Sequence, residues 1–165
     1  FCWIHAMKSQ LKHVTIAALL ALASSSAAAG ATVTYHATDK MTDVPRFKAD
    51  RDNMEWHFVE HFKRLAEKLP AGQQLKVEIV DIDLAGEVFP RVPVMNVRVL
   101  KGMADWPHIH LRYSIEQDGK VLSSGERELR DPNYLMHSSF YNHQMYPHEK
   151  QMLDDWFRKD ILAQG

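Results

Sequence analysis

The chain has 165 residues, of which 45% are hydrophobic and 25% are charged, the proportions of a soluble globular domain. Its 20 Lys and Arg residues nearly balance its 21 Asp and Glu residues, which gives a formal net charge of −1. A nucleic-acid-binding module normally carries a basic excess, so this balance argues against that class of partner. The length predicts one domain, and nothing in the sequence implies a cofactor.

The first 29 residues are typical of a leader. Residues 1–6 precede the first methionine and fit a start assigned too early. Residues 7–29 combine two lysines, an apolar run at 14–23 and small residues ending in Ala27-Ala28-Ala29, which is the pattern of a cleaved signal peptide. The apolar run is shorter than the ~20 residues of a membrane-spanning helix. We therefore expect a periplasmic domain over residues 30–165, without a membrane span after cleavage.

The single cysteine, Cys2, lies before the predicted signal peptide, so the domain at 30–165 has no thiol. Disulfide bonds, lipid attachment to a cysteine and cysteine catalysis are therefore excluded together for that domain. An export signal in front of a cysteine-free domain fits a Gram-negative periplasm.

The first half of the expected domain predicts a strand, a helix and a second strand. Alternation of apolar and polar residues predicts a strand at 32–37 and another at 75–84. A helix is expected to begin near Phe47 and to end at Pro70-Ala71-Gly72. Its apolar residues fall on one narrow stripe, which consists of Phe47, Met54, Phe58, Phe62, Leu65 and Leu69.

The second half predicts three strands and a final helix, at 95–100, 106–117, 120–129 and 148–162. Asp118-Gly119 is the two-residue signal of a hairpin turn between the last two strands. The order β-α-β-β-β-β-α predicts the α+β class. We expect a single small domain with a mixed or antiparallel sheet of about five strands and two helices packed on one face.

The most distinctive residue runs are Asp81-Ile82-Asp83-Leu84-Ala85-Gly86, Trp106-Pro107 followed by Leu111-Arg112-Tyr113, Asn133-Tyr134-Leu135, and Glu149-Lys150-Gln151-Met152-Leu153-Asp154-Asp155-Trp156-Phe157. Together they resemble a bacterial family of exported proteins that is catalogued only as a domain of unknown function. Pro132 departs from the methionine expected before the Asn-Tyr-Leu run. The resemblance implies export and a single small domain, and it brings no reaction because the family has none assigned.

Asp81 and Asp83 are the most informative polar pair. In an unbroken strand they would continue the core-facing row, and two carboxylates about 7 Å apart could bind a hard cation. A bulge near Ile79-Val80 would shift every later side chain to the opposite face and turn both carboxylates to solvent. We favour the bulge and keep the cation site as the alternative.

His57 and His61 are four residues apart and share one face of the first helix, a spacing that can bind zinc or copper. Position 58 is Phe, so the Glu of the H-E-x-x-H zinc-protease motif is missing. We favour two ordinary boundary histidines over metal ligands. If a metal site exists, its ligands are expected among His57, His61, Asp81 and Asp83.

His108 and His110 share the polar side of their strand with Arg112, so we expect them to be solvated. With an ideal hairpin, His110 would lie opposite Arg127, which would also repel a cation. The same ideal pairing would place the glutamates of the partner strand on the apolar side, unless a bulge at Gly125 turned them outward.

The loop at 130–147 is long and rich in Tyr and His, a composition that suits sugars, peptides or aromatic ligands. We favour packing of the loop by its own aromatic residues against the sheet and keep ligand binding as the alternative. The candidate ligand-binding residues of the chain are Asp81, Asp83, Arg112, Tyr134, Tyr141 and Tyr146.

No catalytic residue is assigned, because the sequence has no G-x-S-x-G elbow and no preformed metal-ligand spacing. The leading hypothesis is a non-catalytic exported domain that binds an envelope protein or a small ligand. One alternative is a divalent-metal binder or metal-dependent hydrolase that uses Asp81 and Asp83 with histidines. Another is an accessory protein that binds the cell wall or a polysaccharide through its aromatic loop.

Overall fold

The computed structural model describes residues 28–89, 97–136 and 139–164. The predicted early start and nearly all of the predicted signal peptide therefore lie outside the described residues, as do the first two residues of the strand predicted at 95–100. Within the described part of the chain, no helix is both long and apolar enough to cross a membrane.

In chain order the elements are β1 (Gly30–Tyr35), α1 (Lys48–Ala66), β2 (Gln73–Asp83), β3 (Glu87–Val88), β4 (Arg98–Val99), β5 (His108–Gln117), β6 (Lys120–Arg130) and α2 (Pro147–Trp156). A 3₁₀ turn at Thr38–Lys40 precedes α1, and α2 continues into a π-helical turn at Phe157–Ile161 and a last 3₁₀ turn at Leu162–Gln164. The α+β class is confirmed, and the element order is close to the predicted one.

The main sheet has the strand order β1-β2-β5-β6. β1 runs parallel to β2, and the other two pairs are antiparallel, so the sheet is mixed. It has four strands instead of about five because the short β3 and β4 pair only with each other and form a separate ribbon. We call the end of the molecule that carries this ribbon the ribbon end, and the opposite end, at the β5–β6 turn, the hairpin end.

Both helices pack on one face of the main sheet, as predicted, and leave the other face open. The apolar stripe of α1 is buried, with Met54 and Phe62 fully covered. Phe47 is an exception with 60% exposure, because it caps the helix in an extended conformation instead of joining its first turn. Pro147 begins α2 at the first helical position, where its missing N–H removes no helical hydrogen bond.

The predicted bulge in β2 is confirmed. The pairing register with β5 shifts between Ile79 and Asp81, so Val80 is the extra residue. Apolar side chains before and after the bulge therefore face the helices, and Asp81 and Asp83 lie on the open face.

The hairpin also contains a bulge, at a different place from the one considered. Asp118 and Gly119 form the predicted turn with positive φ, but the register shifts between Ile115 and Glu116, where Leu122 is the extra residue of β6. Gly125 pairs regularly with Tyr113 and is not bulged. Its missing side chain leaves room for the Tyr113 ring, which lies 3.0 Å from the position of a Cβ.

This bulge changes which residues face each other across the hairpin. His110 lies opposite Glu128 and Arg112 opposite Glu126, so the expectation that His110 faces Arg127 was wrong. The two glutamates lie on the open face beside the cations. Arg127 instead lies on the helix-covered face of the sheet.

Candidate functional site

The six candidate ligand-binding residues do not form one site. Asp81, Asp83 and Arg112 lie on the open face of the sheet. The three tyrosines belong to the long loop and α2 start, where they contact the helices or the segment after β4. Polar and aromatic side chains of interest lie in four regions: the open face, the helix interface, the aromatic loop and the ribbon end.

On the open face, Arg112 belongs to a ladder of paired charges. Its guanidinium contacts Glu78 Oε2 and Glu126 Oε1, each at 3.2 Å. His110 Nε2 lies 2.7 Å from the same Glu126 oxygen, and the neighbouring Lys76 and Glu116 pair at 2.7 Å. Exposed pairs of this kind contribute about 0–1 kcal/mol each. The ladder explains why these charges share a face without requiring a ligand.

Asp81 holds the segment that leads into α1. The backbone N–H and the hydroxyl of Thr42 donate to Asp81 Oδ1 and Oδ2, each at 2.7 Å. Asp83 forms a bridge to Asp43 at the end of the strand, and burial, reinforced by the Asp43 carboxylate, raises the pKa of Asp83. Among the described residues, no group of three or more His, Cys, Asp or Glu side chains is placed to hold a metal ion.

The helix interface contains a buried polar network. His61 is 1% exposed, although we expected a boundary residue, and its Nε2 lies 3.1 Å from Asp154 Oδ1. The Tyr141 hydroxyl donates to Asp154 Oδ2 at 2.6 Å, and Arg64 lies 3.3 Å from His61 Nδ1. Burial lowers the pKa of His61 although the Asp154 carboxylate opposes the shift. Burial therefore favours the neutral imidazole, which is enclosed between the helices.

His57 and His61 lie on the helix side of the sheet, and Asp81 and Asp83 lie on the open side. The structure therefore does not bring the four candidate metal ligands together. His57 contacts Tyr146 at 5.9 Å between ring centroids. Burial, followed by the charge of Lys150, lowers the pKa of His57.

The tyrosines of the loop pack inward. Tyr134 is almost fully buried, and its hydroxyl oxygen accepts the N–H of Gly102 at 3.3 Å. Tyr146 lies on Phe58 at 5.3 Å between centroids, and Tyr141 meets the edge of His61 at the same separation. The three rings pack against residues of their own domain and so hold the loop against it.

The Ala85-Gly86 turn is the most tightly held backbone at the ribbon end. The Arg98 guanidinium donates to the carbonyl oxygens of Leu84, Ala85 and Gly86 at 2.6–2.9 Å, and it also pairs with Asp43. From α2, Glu149 Oε1 accepts the N–H of Ala85 at 2.7 Å. Burial raises the pKa of Glu149 in spite of this hydrogen bond. Two of the distinctive residue runs thus meet here, one in the turn and one in α2.

A cavity of about 190 Å³ lies beside this turn. Leu84 and Ala85 form part of it, with Arg98 and Glu149 among the polar residues that line it. Both charged groups bind the backbone of the turn.

Exposed apolar side chains lie on this cavity or on the segments that follow β4 and β6, and we call them the ribbon-end surface, which consists of Leu100, Met103, Leu135, Met136 and Met145. Met103 is 77% and Met136 83% exposed. Leu100 and Met145 line the cavity, and Leu135 lies against Gly102. This surface was not predicted from the sequence. Its only sequence signal is three methionines in segments without apolar periodicity.

The model of a family described as "Protein of unknown function (DUF3016)" matches residues 29–159. The match covers all the residue runs that carried the resemblance. The search of curated proteins and the search of solved structures gave no match.

Proposed function

The chain belongs to the DUF3016 family of proteins of unknown function, and we propose that it is an exported, non-catalytic protein that binds a partner protein through its ribbon end. The signal-peptide pattern at residues 7–29 supports export to the periplasm. The partner is another protein of the envelope that presents an apolar segment.

The observation that carries this proposal is the ribbon-end surface around its cavity. Contiguous exposed apolar side chains are typical of interaction surfaces. Methionine side chains are flexible and polarisable, so they adapt to an apolar partner. A cavity lined by two of these side chains, Leu100 and Met145, can take one anchoring side chain, as in the hot spots of protein interfaces.

The size of the cavity favours a protein partner over a small molecule. Its volume of about 190 Å³ is below the roughly 300–1,000 Å³ of typical small-molecule sites. It suits a single Leu or Phe side chain. Arg98 and Glu149, which line it, are bound to the Ala85-Gly86 turn, so neither charge is directed at an occupant.

A site-specific photocross-linking experiment tests the proposal. A benzophenone amino acid at position 136, in the full chain produced in bacterial cells, should form one discrete adduct with an envelope protein. The same reagent at Lys63, on the exposed side of α1, is the matched control and should form none. Met103→Asp should abolish the adduct at position 136. The same adduct from both positions, or no adduct from position 136, would contradict the proposal.

Binding to a lipid surface is a distinct outcome of the same test. If position 136 reacts with lipid and the purified chain sediments with vesicles of phosphatidylethanolamine and phosphatidylglycerol, the protein-partner proposal is wrong. Export is tested separately by sequencing the N-terminus of the chain recovered from the periplasm, which should begin at Gly30. Recovery only from the cytoplasm, with residues 7–29 still attached, would contradict export.

A further inference from the structure

A second and larger cavity lies at the hairpin end, away from the ribbon-end surface. Its volume is about 560 Å³, within the range of small-molecule sites. The walls are mainly apolar and come from the end of α1, the β5–β6 hairpin and the last turns of the chain. The apolar lining residues are Leu69, Pro70, Ile115, Leu122, Ile161 and Leu162.

The polar residues that line this cavity are Lys68, Gln73, Ser123 and Asp160. Asp160 is neutralised by Arg127, whose Nε lies 2.7 Å from its carboxylate. Gln73 and Ser123 offer an amide and a hydroxyl. Lys68 is exposed, and its positive charge also acts on the Asp154 carboxylate, whose pKa it helps to lower. The cavity therefore has mainly apolar walls and one lysine ammonium group among its polar lining residues.

Two irregular backbone features build this cavity. Leu122 is the bulged residue of β6, and Asp160 and Ile161 belong to the π-helical turn. Bulges and π-helical turns occur preferentially near functional sites because they redirect side chains that regular structure would place elsewhere. Here they direct side chains from two elements toward the same space.

We infer that the hairpin-end cavity binds an aliphatic carboxylate, with the acyl chain on the apolar walls and the head group at Lys68. A single ammonium group matches a singly charged head. This inference does not depend on the proposed protein partner, because the two sites share no residue.

Calorimetric titration of the full chain with three ten-carbon amphiphiles tests the head-group requirement. Decanoate should bind roughly fivefold more tightly than decanol, the upper end for one exposed charge pair, and decyltrimethylammonium should bind most weakly. Lys68→Ala should remove the preference for decanoate, whereas Lys63→Ala should keep it. Equal binding of decanoate and decanol to the parent chain, or an unchanged preference in Lys68→Ala, would overturn the inference.

A neighbouring pair of variants tests the location of the site. Leu122 and Val121 are 53% and 58% exposed, so both tolerate a polar residue, but only Leu122 lines the cavity. Leu122→Asp should weaken decanoate binding at least about tenfold, because it places a charge on the apolar wall. Val121→Asp should leave binding unchanged. Equal losses in both variants, or binding that Met136→Asp also removes, would place the ligand elsewhere and refute the assignment.

Discussion

Gly86 is the residue at which the addition of one methyl group should destabilise the fold most. Its φ is +77°, and an added Cβ would lie 2.6 Å from the carbonyl oxygen of Val99. Gly119 has a similar φ of +74° but no atom within 4 Å of the same position. Gly86→Ala should lower the free energy of unfolding by roughly 2–5 kcal/mol, because overpacking adds to backbone strain. Gly119→Ala should lower it by only about 1–2 kcal/mol.

Urea denaturation of both variants measures this difference. The Gly119 variant is the control for backbone strain without a clash. If the two variants lost the same stability, the contact between the Ala85-Gly86 turn and the β3–β4 ribbon would not be as close as the structure shows.

The raised pKa of Glu149 predicts the direction in which the free energy of unfolding changes with pH. Its pKa in the folded state is raised by burial above the ordinary 4.5, so the folded chain binds its proton more tightly than the unfolded chain. This contribution to stability is complete below pH 4.5 and is lost as the pH rises through the folded-state pKa. Glutamine does not titrate, so the stability of Glu149→Gln relative to the parent should rise as the pH rises. The amide oxygen of the glutamine can still accept the Ala85 N–H.

The comparison requires unfolding curves of parent and variant from about pH 4 to pH 8, on both sides of the ordinary carboxyl range. Taking the difference between the two chains removes the contributions of other titrating groups. A difference that did not change with pH, or that changed in the opposite direction, would show that Glu149 is not protonated preferentially in the folded state.

At the scale of elements, the Asp154 carboxylate joins the loop and α1 to α2. Tyr141→Phe removes the hydroxyl that donates to Asp154 at 2.6 Å and keeps the ring on His61. We expect a loss of about 1.5–3 kcal/mol in the free energy of unfolding, the range for a hydrogen bond to a charged group. Tyr146→Phe is the control, because no hydrogen bond of its hydroxyl occurs within the described residues. Equal effects of the two variants on chemical denaturation would refute this role for Tyr141.

The regular elements could be predicted from the sequence where one face is strongly apolar. The stripe of α1 predicts a helix face toward the core, and the phase change in β2 favours a bulge near Ile79-Val80, which the structure places at Val80. The bulge at Leu122 could not be located in the same way. The two faces of β6 are both largely polar, so a shift of one residue moves no apolar row out of the core.

At the scale of the whole molecule, sequence spacing could not show which side of the sheet each candidate residue occupies. The parallel pairing of β1 and β2 places α1, with His57 and His61, on the covered face, while the bulge turns Asp81 and Asp83 to the open face. The ribbon-end surface and the hairpin-end cavity were missed for a related reason. Both are assembled from loops, bulges and chain ends, where no apolar period marks a residue as buried or exposed.

This arrangement makes a whole-molecule prediction about metals. A specific site at 100 times its dissociation constant would stabilise the folded chain by about 2.7 kcal/mol. For a domain of this size, the melting temperature would then rise by several degrees. Because the four candidate ligands lie on opposite sides of the sheet, zinc, copper, manganese and calcium should each leave the melting temperature of the chelator-treated chain unchanged.

The variants His57→Ala and Asp81→Ala make this melting experiment decisive. Each removes one candidate ligand from a different side of the sheet, so neither should alter the response of the chain to any ion. Asp81→Ala should still lower the melting temperature in the absence of metal, because it removes both hydrogen bonds to Thr42. One ion could instead raise the melting temperature of the parent, and both substitutions could abolish that rise. His57 and Asp81 would then bind the same ion, and their placement on opposite sides of the sheet would be wrong.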